Sequence, residues 1–439
     1  MTEGRSKDRG LCGHNQGVDR IIVAPGGPLS GSTRAGGAKN SVLKLMAACL
    51  LAEGTHILEN VPNITDVDTM AEVLRSLGCG VERRDGDSLA ITTPATDELV
   101  PEAPYELVEK MRASIVVLGP LLARCGRARV SMPGGDDFGS RPIDIHLRGM
   151  TDMGAHFTTQ HGYVEAEVTD VTGRLTGAHL VLEYPSHTAT DNLLMAAALA
   201  KGTTVIDNAA REPEVGDLAA MLTAMGARVS GVGTSRLVIE GAEHLEAVTH
   251  RVIPDRVVAA TYLLAPALAG GSVTISDGRP DHMTMFLDKL SAMGLEVAFD
   301  GEGLRVSAPV RTRAVDIATL PYPGVATDYK PFLVTALSIA DGVSIVSENL
   351  FEGRFRYVDE LRRMGADIRT EGHHAVVRGV PRLSGAQVKA PDIRAGAALV
   401  LAGLAAEGET SVAGVEHIER GYDDLVGTLQ GLGASVRWG

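Results

Sequence analysis

Six stretches of the chain are apolar at nearly every position, and they recur along its whole length. Each is rich in Ala and Leu, whereas a surface helix shows only a single apolar stripe. Runs of this kind predict helices that are buried on most faces. They cover residues 41–51, 114–123, 192–200, 257–269, 331–340 and 394–406.

The same signals follow each apolar run. A glycine comes near its end, where a positive φ often closes a helix. A stretch rich in β-branched residues follows, as in residues 203–207 and 343–346, and predicts a strand. An amphipathic pattern then predicts a second, surface helix before further strands. The closing glycines are Gly54, Gly126, Gly202, Gly270, Gly342 and Gly408.

The second helix of each unit ends at a Leu-Gly or Met-Gly pair, and this pair reveals an internal repeat. Its glycine recurs at intervals of 76, 72, 68, 71 and 68 residues, which are too regular for chance. The chain therefore contains six βαβαββ-type units. Their marker glycines are Gly78, Gly154, Gly226, Gly294, Gly365 and Gly433.

Six units exceed the capacity of one hydrophobic core, so we expect an α/β fold of two domains with three units each. Buried helices with strands outside predict an inverse α/β barrel. Residues 231–251 vary most in pattern and suggest the crossover between domains. We expect domain I at residues 18–38 plus 252–439, domain II at 39–251, and a disordered tail at 1–17. A single solenoid is the alternative.

The composition and net charge indicate which kinds of molecule the protein could bind. The formal net charge is −14, which argues against nucleic acids and anionic membranes because both attract basic surfaces. Residues 1–17 lack the apolar core of a signal peptide, so we expect a cytoplasmic protein. The four cysteines are too few and scattered for a disulfide framework or a metal site. They are Cys12, Cys49, Cys79 and Cys125.

Residues 131–146 concentrate glycines, carboxylates and Arg141 in sixteen positions. Pro133-Gly134-Gly135 cannot continue a helix or a central strand, so the segment predicts a turn or flap. Asp136 and Asp137 would lie at its tip. An acid on a hinged loop suits a site that closes over an anionic substrate and transfers a proton. A polar surface turn is the alternative.

Cations stand at the starts of several of the predicted buried helices. Lys39, Arg112, Arg256 and Arg394 all lie where the positive end of the helix dipole opposes them. Helix starts also present unpaired N–H groups, so these positions together predict anion binding in a shared cleft. The alternative is that the polar residues there, such as Asp255, are only N-caps. Asp392 is open to the same interpretation. Arg354 and Arg420 add two further cations.

With these motifs the chain resembles the enolpyruvyl transferase family from about residue 18 to residue 438. Within the family it is most similar to the branch that acts on UDP-N-acetylglucosamine, above all to actinobacterial members. The motifs that carry the resemblance are Gly36-Gly37-Ala38-Lys39-Asn40-Ser41, Asn60-Val61-Pro62, Met111-Arg112-Ala113-Ser114, Pro133-Gly134-Gly135, Arg141-Pro142-Ile143-Asp144-Ile145-His146, Asn208-Ala209-Ala210-Arg211-Glu212-Pro213, Ile253-Pro254-Asp255-Arg256 and His417-Ile418-Glu419-Arg420-Gly421-Tyr422.

The resemblance implies transfer of the enolpyruvyl group of phosphoenolpyruvate to the sugar 3-hydroxyl of a uridine nucleotide, with release of phosphate. It implies no cofactor and no metal. Asp136 would be the acid and Asp328 the base. Phosphoenolpyruvate would meet five cations, with its phosphate on Lys39, Arg141 and Arg420 and its carboxylate on Arg354 and Arg394.

The resemblance also implies a nucleotide site, in which Asn40 orients the amino sugar, Arg112 meets the diphosphate and Asp328 reaches the acceptor hydroxyl. Residues 141–146 and the start of the third buried helix would surround the rest of the nucleotide. The residues concerned are Arg141, Pro142, Ile143, Asp144, Ile145, His146, Ser186, His187 and Thr188. The sequence leaves the oligomeric state open.

Three departures from the family pattern bear on the acceptor. Asp136 replaces the usual loop cysteine, His187-Thr188 replaces Val-Gly beside the nucleotide, and Lys330 adds a cation near the base. A paralogue acting on UMP in nucleoside-antibiotic synthesis is therefore an alternative. A catalytically inactive nucleotide-binding protein is another, but a binding module needs no base such as Asp328.

Overall fold

The computed structural model describes residues 20–109, 111–132, 143–299, 301, 303–351 and 353–439, with the backbone alone at Arg112. These residues form fourteen α-helices. Their bounds are α1 Lys39–Ala48, α2 Thr65–Ser76, α3 Tyr105–Val108, α4 Leu118–Cys125, α5 Asp144–Asp152, α6 His187–Ala197, α7 Pro213–Ala224, α8 Arg256–Ala269, α9 Thr284–Ala292, α10 Lys330–Leu337, α11 Val358–Arg363, α12 Ile393–Leu404, α13 Val415–Glu419 and α14 Leu425–Gly431.

The same residues contain twenty-six strands. Their bounds are β1 Arg20–Val23, β2 Ser32–Thr33, β3 Gly54–Glu59, β4 Gly80–Arg84, β5 Ser88–Thr93, β6 Glu102–Ala103, β7 Arg127–Ser131, β8 Ala155–Gln160, β9 Tyr163–Val168, β10 His179–Val181, β11 Thr203–Asp207, β12 Arg228–Ser230, β13 Arg236–Glu240, β14 Thr249–Arg251, β15 Ser272–Ile275, β16 Glu296–Phe299, β17 Leu304–Ser307, β18 Ile317–Ala318, β19 Val343–Ser347, β20 Asp367–Glu371, β21 His374–Arg378, β22 Leu383–Ser384, β23 Gln387–Lys389, β24 Ala406–Glu407, β25 Thr410–Ala413 and β26 Val436–Trp438.

The strands form six four-stranded sheets of one plan, together with the two-stranded pair β22 and β24. In the sheet β10-β11-β13-β12, the first pair is parallel and the next two are antiparallel. The sheet β18-β19-β21-β20 repeats this plan. Each sheet corresponds to one sequence repeat, so the prediction of six units is confirmed.

Three sheets are completed by strands from elsewhere in the chain. The N-terminal strand β1 pairs with β25 and β26, and β2 pairs with β15. Strand β14 returns to pair with β3 of the first unit. These pairings group residues 20–33 with the C-terminal units and residues 249–251 with the first unit. The division into domains at residues 18–38 plus 252–439 and 39–251 stays a prediction.

Buried apolar side chains form two separate clusters. One is built from residues between Ala38 and Val252, and the other joins Ile21, Val23 and Leu29 to residues between Val257 and Val436. Helices α1, α4 and α6 lie within the first cluster, and α8, α10 and α12 within the second. Strands such as β19 expose alternate residues outside them. The predicted inverse α/β barrel is confirmed. None of the helices in the described residues is both long and apolar enough to cross a membrane.

Two chain segments, residues 37–38 and 253–254, lie side by side at the boundary between the two apolar clusters. Ala38 N–H donates to the Ile253 carbonyl at 2.8 Å, and Gly37 bridges to Pro254. A Cβ on Gly37 would lie 1.7 Å from the Asn60 carbonyl oxygen, so only glycine fits this approach. The crossing places the starts of α1 and α8 next to each other.

Candidate active site

Lys39 and Arg420 converge on one buried carboxylate. Lys39 Nζ lies 2.8 Å from Asp66 Oδ2, and Arg420 Nε lies 2.9 Å from Asp66 Oδ1. Burial acts to raise the pKa of Asp66, but the two cations outweigh it and hold that pKa below its ordinary value. Burial and the neighbouring Arg420 lower the pKa of Lys39, which Asp66 opposes. The cluster brings together two cations from opposite ends of the sequence around one carboxylate.

A second carboxylate, Asp328, lies between two buried arginines. Arg354 Nη2 is 2.6 Å from Asp328 Oδ1, and Arg394 Nε is 3.7 Å from Asp328 Oδ2. Burial acts to raise the pKa of Asp328, but both guanidinium groups outweigh it and hold that pKa well below its ordinary value. Both arginine side chains are only 4% exposed, so their charges are poorly screened by water.

The two clusters adjoin each other at Gly421. A Cβ on this glycine would lie 3.5 Å from Arg394 Nη1 and 3.8 Å from Lys39 Cδ. A cavity of about 250 Å³ opens beside Lys39 and Gly421 and is bordered by Gly36, Gly37 and Asn60. Among the four cations of the two clusters, Lys39 lines this cavity, whose wall also includes Asp87, Asp423 and Asp424.

A polar cluster lies at the start of α6, on the side assigned to the nucleotide. His187 Nε2 and Lys44 Nζ lie 3.2 Å apart, and each is 3.3 Å from Asp191 Oδ2. Burial and the adjacent Lys44 lower the pKa of His187 to about 3, so this imidazole is neutral at pH 7. Burial raises the pKa of Asp191 to about 7, which Lys44 opposes. His187 can therefore accept or donate a hydrogen bond but carries no charge.

Two other residues predicted to contact the nucleotide, Ser186 and His146, already have hydrogen-bond partners within the protein. Ser186 is the N-cap of α6, because its hydroxyl accepts from Ala189 N at 3.4 Å. His146 is 3% exposed, and its Nδ1 lies 3.1 Å from the amide nitrogen of Asn192. A structural role therefore accounts for both side chains, and their contact with nucleotide stays a prediction.

The remaining predicted nucleotide positions that the structure describes lie at three helix starts. Asn40 and Thr188 are half-buried in the first turns of α1 and α6. Asp144 is exposed at the first position of α5, Ile145 is half-buried, and Ile143 is buried. Asp136, Arg141 and Pro142 lie outside the described residues, and so does the side chain of Arg112. Their assigned roles stay predictions.

The structure corrects the sequence analysis at three cationic or acidic helix starts. Asp255 and Asp392 are N-caps, since each carboxylate accepts from two backbone N–H groups of its helix. Arg256 donates two hydrogen bonds of 2.9 and 3.2 Å to the buried Glu214, so its charge is already paired within the protein. Lys330 does not stand beside Asp328 as an added cation, because it is fully buried against Glu348 at 2.7 Å.

Asp66 and Glu348 are two further buried acids that are not among the residues predicted from the sequence. Asp66 stands in the first turn of α2, where acids are common because they favour the positive end of the helix dipole. Glu348 follows β19 in an ordinary loop. No local signal separates either residue from a surface acid. Arg420 and Asp66 are 354 positions apart in the sequence, so no local pattern could have paired them.

The Arg256–Glu214 pair joins α8 to α7, and the side chains are 7% and 2% exposed. Replacing Arg256 by Met is expected to lower the free energy of unfolding by about 3–5 kcal/mol, because Glu214 would remain buried and unpaired. Urea denaturation measures the change. The matched control is Arg251→Met, whose 3.6 Å pair with Glu59 is about half exposed and should contribute no more than about 1 kcal/mol. Equal effects of the two changes would contradict the assignment.

Among the described residues, no group of three or more His, Cys, Asp or Glu side chains is arranged to hold a metal ion. The proposed site consists of charged side chains. It can neutralise an anion at each of two positions, and it holds a carboxylate, Asp328, that could accept a proton.

The sequence is similar to those of known proteins over nearly the whole chain. A family model described as EPSP synthase (3-phosphoshikimate 1-carboxyvinyltransferase) matches residues 23–429. A UDP-N-acetylglucosamine 1-carboxyvinyltransferase of Nocardia farcinica is 53% identical over 95% of this chain and 98% of its own length. A protein of the same name from Mycobacterium tuberculosis is 51% identical over 95% of this chain and 99% of its own.

Solved structures share the fold. The enolpyruvyl transferase NikO from Streptomyces tendae superimposes with a TM-score of 0.84 at 27% identity, covering 95% of this chain and 98% of that one. EPSP synthase from Acinetobacter baumannii gives a TM-score of 0.73 at 19% identity and covers 95% and 99%. The second likeness concerns the fold alone.

Proposed function

The chain belongs to the enolpyruvyl transferase family, and on that premise we propose that it transfers the enolpyruvyl group of phosphoenolpyruvate to the 3-hydroxyl of UDP-N-acetylglucosamine and releases phosphate. The observation that carries the proposal is the pair of cationic clusters, in a chain 53% identical to a relative with that activity in its name. The reaction would serve peptidoglycan precursor synthesis in the cytoplasm.

The phosphate of phosphoenolpyruvate would bind Lys39 and Arg420, with Arg141 as a third cation. Asp66 holds the first two side chains in place, 2.8 and 2.9 Å from its oxygens, and their N–H groups suit a phosphate, which accepts several hydrogen bonds. A phosphate carries more charge than a carboxylate, so it can compete with Asp66 for both cations.

The carboxylate of phosphoenolpyruvate would bind Arg354 and Arg394, which in this structure contact Asp328. Competition for these guanidinium groups has a chemical consequence. A low pKa makes Asp328 a poor base while both arginines neutralise it. Once a substrate carboxylate shares their charge, the pKa of Asp328 rises and the side chain becomes able to accept a proton.

The chemistry then follows from the charges. Asp136 donates a proton to C3 of phosphoenolpyruvate, and C2 gains positive character. The acceptor hydroxyl attacks C2 while Asp328 takes its proton, which gives a tetrahedral phospho-ketal. Loss of a C3 proton and of phosphate restores the double bond, and Lys39 and Arg420 stabilise the departing charge. Asp136 and Asp328 thus play the acid and the base.

Acceptor binding is assigned to Asn40, Arg112, His187 and Thr188, and residues 141–146 are expected to surround the rest of the nucleotide. Lys44 adds a cation that sequence analysis overlooked, and it lies 3.2 Å from His187. The phosphate groups of a nucleotide are negatively charged, so Lys44 could neutralise part of their charge.

UMP is the second candidate acceptor, because the polar cluster at the start of α6 fills space beside the proposed nucleotide site. His187 packs against both Lys44 and Asp191 instead of leaving that region open. A larger nucleotide sugar would need room there, whereas a nucleoside monophosphate would need less. The high identity to the nucleotide-sugar enzymes favours UDP-N-acetylglucosamine.

The direct test of transfer is to incubate the protein with phosphoenolpyruvate and UDP-N-acetylglucosamine. Phosphate should appear, and mass spectrometry should find the nucleotide heavier by one enolpyruvyl group. Omission of either substrate should abolish both signals. Phosphate release without a modified nucleotide would indicate a hydrolase and contradict the proposal.

We expect the protein to be insensitive to fosfomycin, an epoxide that alkylates the loop thiol of relatives. Asp136 offers a carboxylate in its place, and a carboxylate is the weaker nucleophile. Activity should survive preincubation with the epoxide, and intact-protein mass spectrometry should find no adduct. The Asp136→Cys variant should gain time-dependent inactivation. A covalent adduct on the unchanged protein would contradict the assignment of Asp136.

A further inference from the structure

A closed ring of buried contacts supports the arginine assigned to the substrate carboxylate. Lys330 Nζ lies 2.7 Å from Glu348 Oε2, and both side chains are fully buried. The Thr327 hydroxyl donates to the same carboxylate oxygen at 2.7 Å. Arg354 Nη1 donates to Thr327 Oγ1 at 3.0 Å. Lys330 Nζ also donates to the Arg354 carbonyl at 2.7 Å, which closes the ring.

The ring holds Arg354 at both ends. Lys330 fixes its backbone directly, and it reaches the guanidinium group through Glu348 and Thr327. The far nitrogen of that guanidinium group is the one that lies 2.6 Å from Asp328. A displacement of Arg354 would therefore move both the proposed carboxylate site and the proposed base.

Glu348 is fully engaged in this arrangement. Its Oε1 accepts from the Thr319 hydroxyl at 2.7 Å and from Leu350 N at 2.8 Å. Lys330 also lies 3.9 Å from the centroid of the Phe355 ring, a favourable position for a buried cation. A rigid, satisfied network of this kind specifies one geometry instead of several.

We infer that Lys330 is a positioning residue, which holds Arg354 in place for the carboxylate of phosphoenolpyruvate without touching the substrate. The inference rests on the proposed function, because that function gives Arg354 its ligand. It also assigns a role to a lysine that the sequence pattern placed beside the base. The role requires both the hydrogen bond that Lys330 donates to the Arg354 carbonyl and the positive charge that pairs with Glu348.

The variants that test the inference are Lys330→Met, which removes the donor, and Lys330→Gln, which keeps one. Thr327→Val breaks the ring at an uncharged link and leaves the buried ion pair intact. Lys289→Met is the matched control, since this half-buried lysine also donates to a backbone carbonyl, that of Asp316 at 2.8 Å. Thermal melts establish which variants are folded.

Equilibrium titration with phosphoenolpyruvate is the primary measurement, and turnover with UDP-N-acetylglucosamine is the second. Lys330→Met and Thr327→Val should each weaken phosphoenolpyruvate binding by about tenfold to a hundredfold, because a misplaced clamp residue loses its aligned contacts. The KM for the nucleotide should stay within about twofold of wild type. Lys330→Gln should recover only part of the affinity, because its neutral amide can donate a hydrogen bond but leaves Glu348 buried without a charge partner. Lys289→Met should match wild type.

The outcomes separate the inference from the proposed function. If Lys330→Met and Thr327→Val bind phosphoenolpyruvate as wild type does, Lys330 is only a stabilising residue and the inference is wrong. The same holds if both substrates lose affinity equally. Should Lys330→Met fail to fold, Thr327→Val decides alone. Wild-type protein that binds phosphoenolpyruvate but shows no turnover would overturn the proposed acceptor and leave the inference standing. Wild-type protein that fails to bind it would overturn both.

Discussion

Asp328→Asn is expected to slow phosphate release by about a hundredfold to ten-thousandfold, the usual contribution of a positioned general base. Asparagine has nearly the same shape as aspartate, so the site should keep its form. The asparagine amide, unlike the aspartate carboxylate, cannot accept the proton of the acceptor hydroxyl. Because a base acts in the transition state, kcat should fall while nucleotide binding remains measurable. Single-turnover phosphate release and nucleotide titration measure the two effects.

The matched control is Asp341→Asn, which changes a 77% exposed aspartate that lies 3.7 Å from Arg311. Its kcat should equal that of wild type. Phosphoenolpyruvate should bind Asp328→Asn at least as tightly as it binds wild type, because the variant removes a competitor for Arg354 and Arg394. Retention of wild-type kcat in Asp328→Asn would remove this residue from the mechanism.

Lys39→Met should lower kcat/KM for phosphoenolpyruvate by about a hundredfold to a thousandfold, the range found when one donor to a developing anion is removed. Lys39 is the cation nearest to Asp66, and its ammonium group would meet both the substrate phosphate and the phosphate that leaves. Steady-state kinetics with each substrate varied in turn would measure the loss.

Lys44→Met provides the contrast, since Lys44 is buried in the same helix but contacts His187 and Asp191. Its effect should fall on the KM for the nucleotide and leave phosphoenolpyruvate binding nearly unchanged. If both variants impaired the same substrate, the division of the site between the two lysines would be wrong.

The repeat explains why so much of the fold could be predicted from the sequence. A buried helix needs apolar residues on most faces, and six such runs at near-constant spacing leave few arrangements other than repeated units. The cations at helix starts were equally visible, because Lys39 and Arg394 stand where the dipole makes them unfavourable without an anion. The local sequence pattern therefore predicted the architecture, and it also indicated two cations of the proposed site, Lys39 and Arg394.

The partners of those cations were not visible, because side-chain pairing across the fold leaves no local trace. Asp66 resembles any acid in a first helical turn, yet it is the residue on which Lys39 and Arg420 converge. Arg256 and Lys330 carried the same signal as the site cations and turned out to be paired with Glu214 and Glu348. Charge at a helix start therefore identified candidates, and the packing shows which acid each candidate meets, such as Asp66 for Lys39 and Glu214 for Arg256.

The identity of the acceptor is the central claim, and one comparison tests it most directly. Phosphate release is measured with phosphoenolpyruvate and either UDP-N-acetylglucosamine or UMP at equal concentration, with wild-type protein. The geometry around Lys44 and His187 makes UMP the relevant rival. We predict sustained release with UDP-N-acetylglucosamine and only background release with UMP. Turnover with UMP and none with UDP-N-acetylglucosamine would contradict the account.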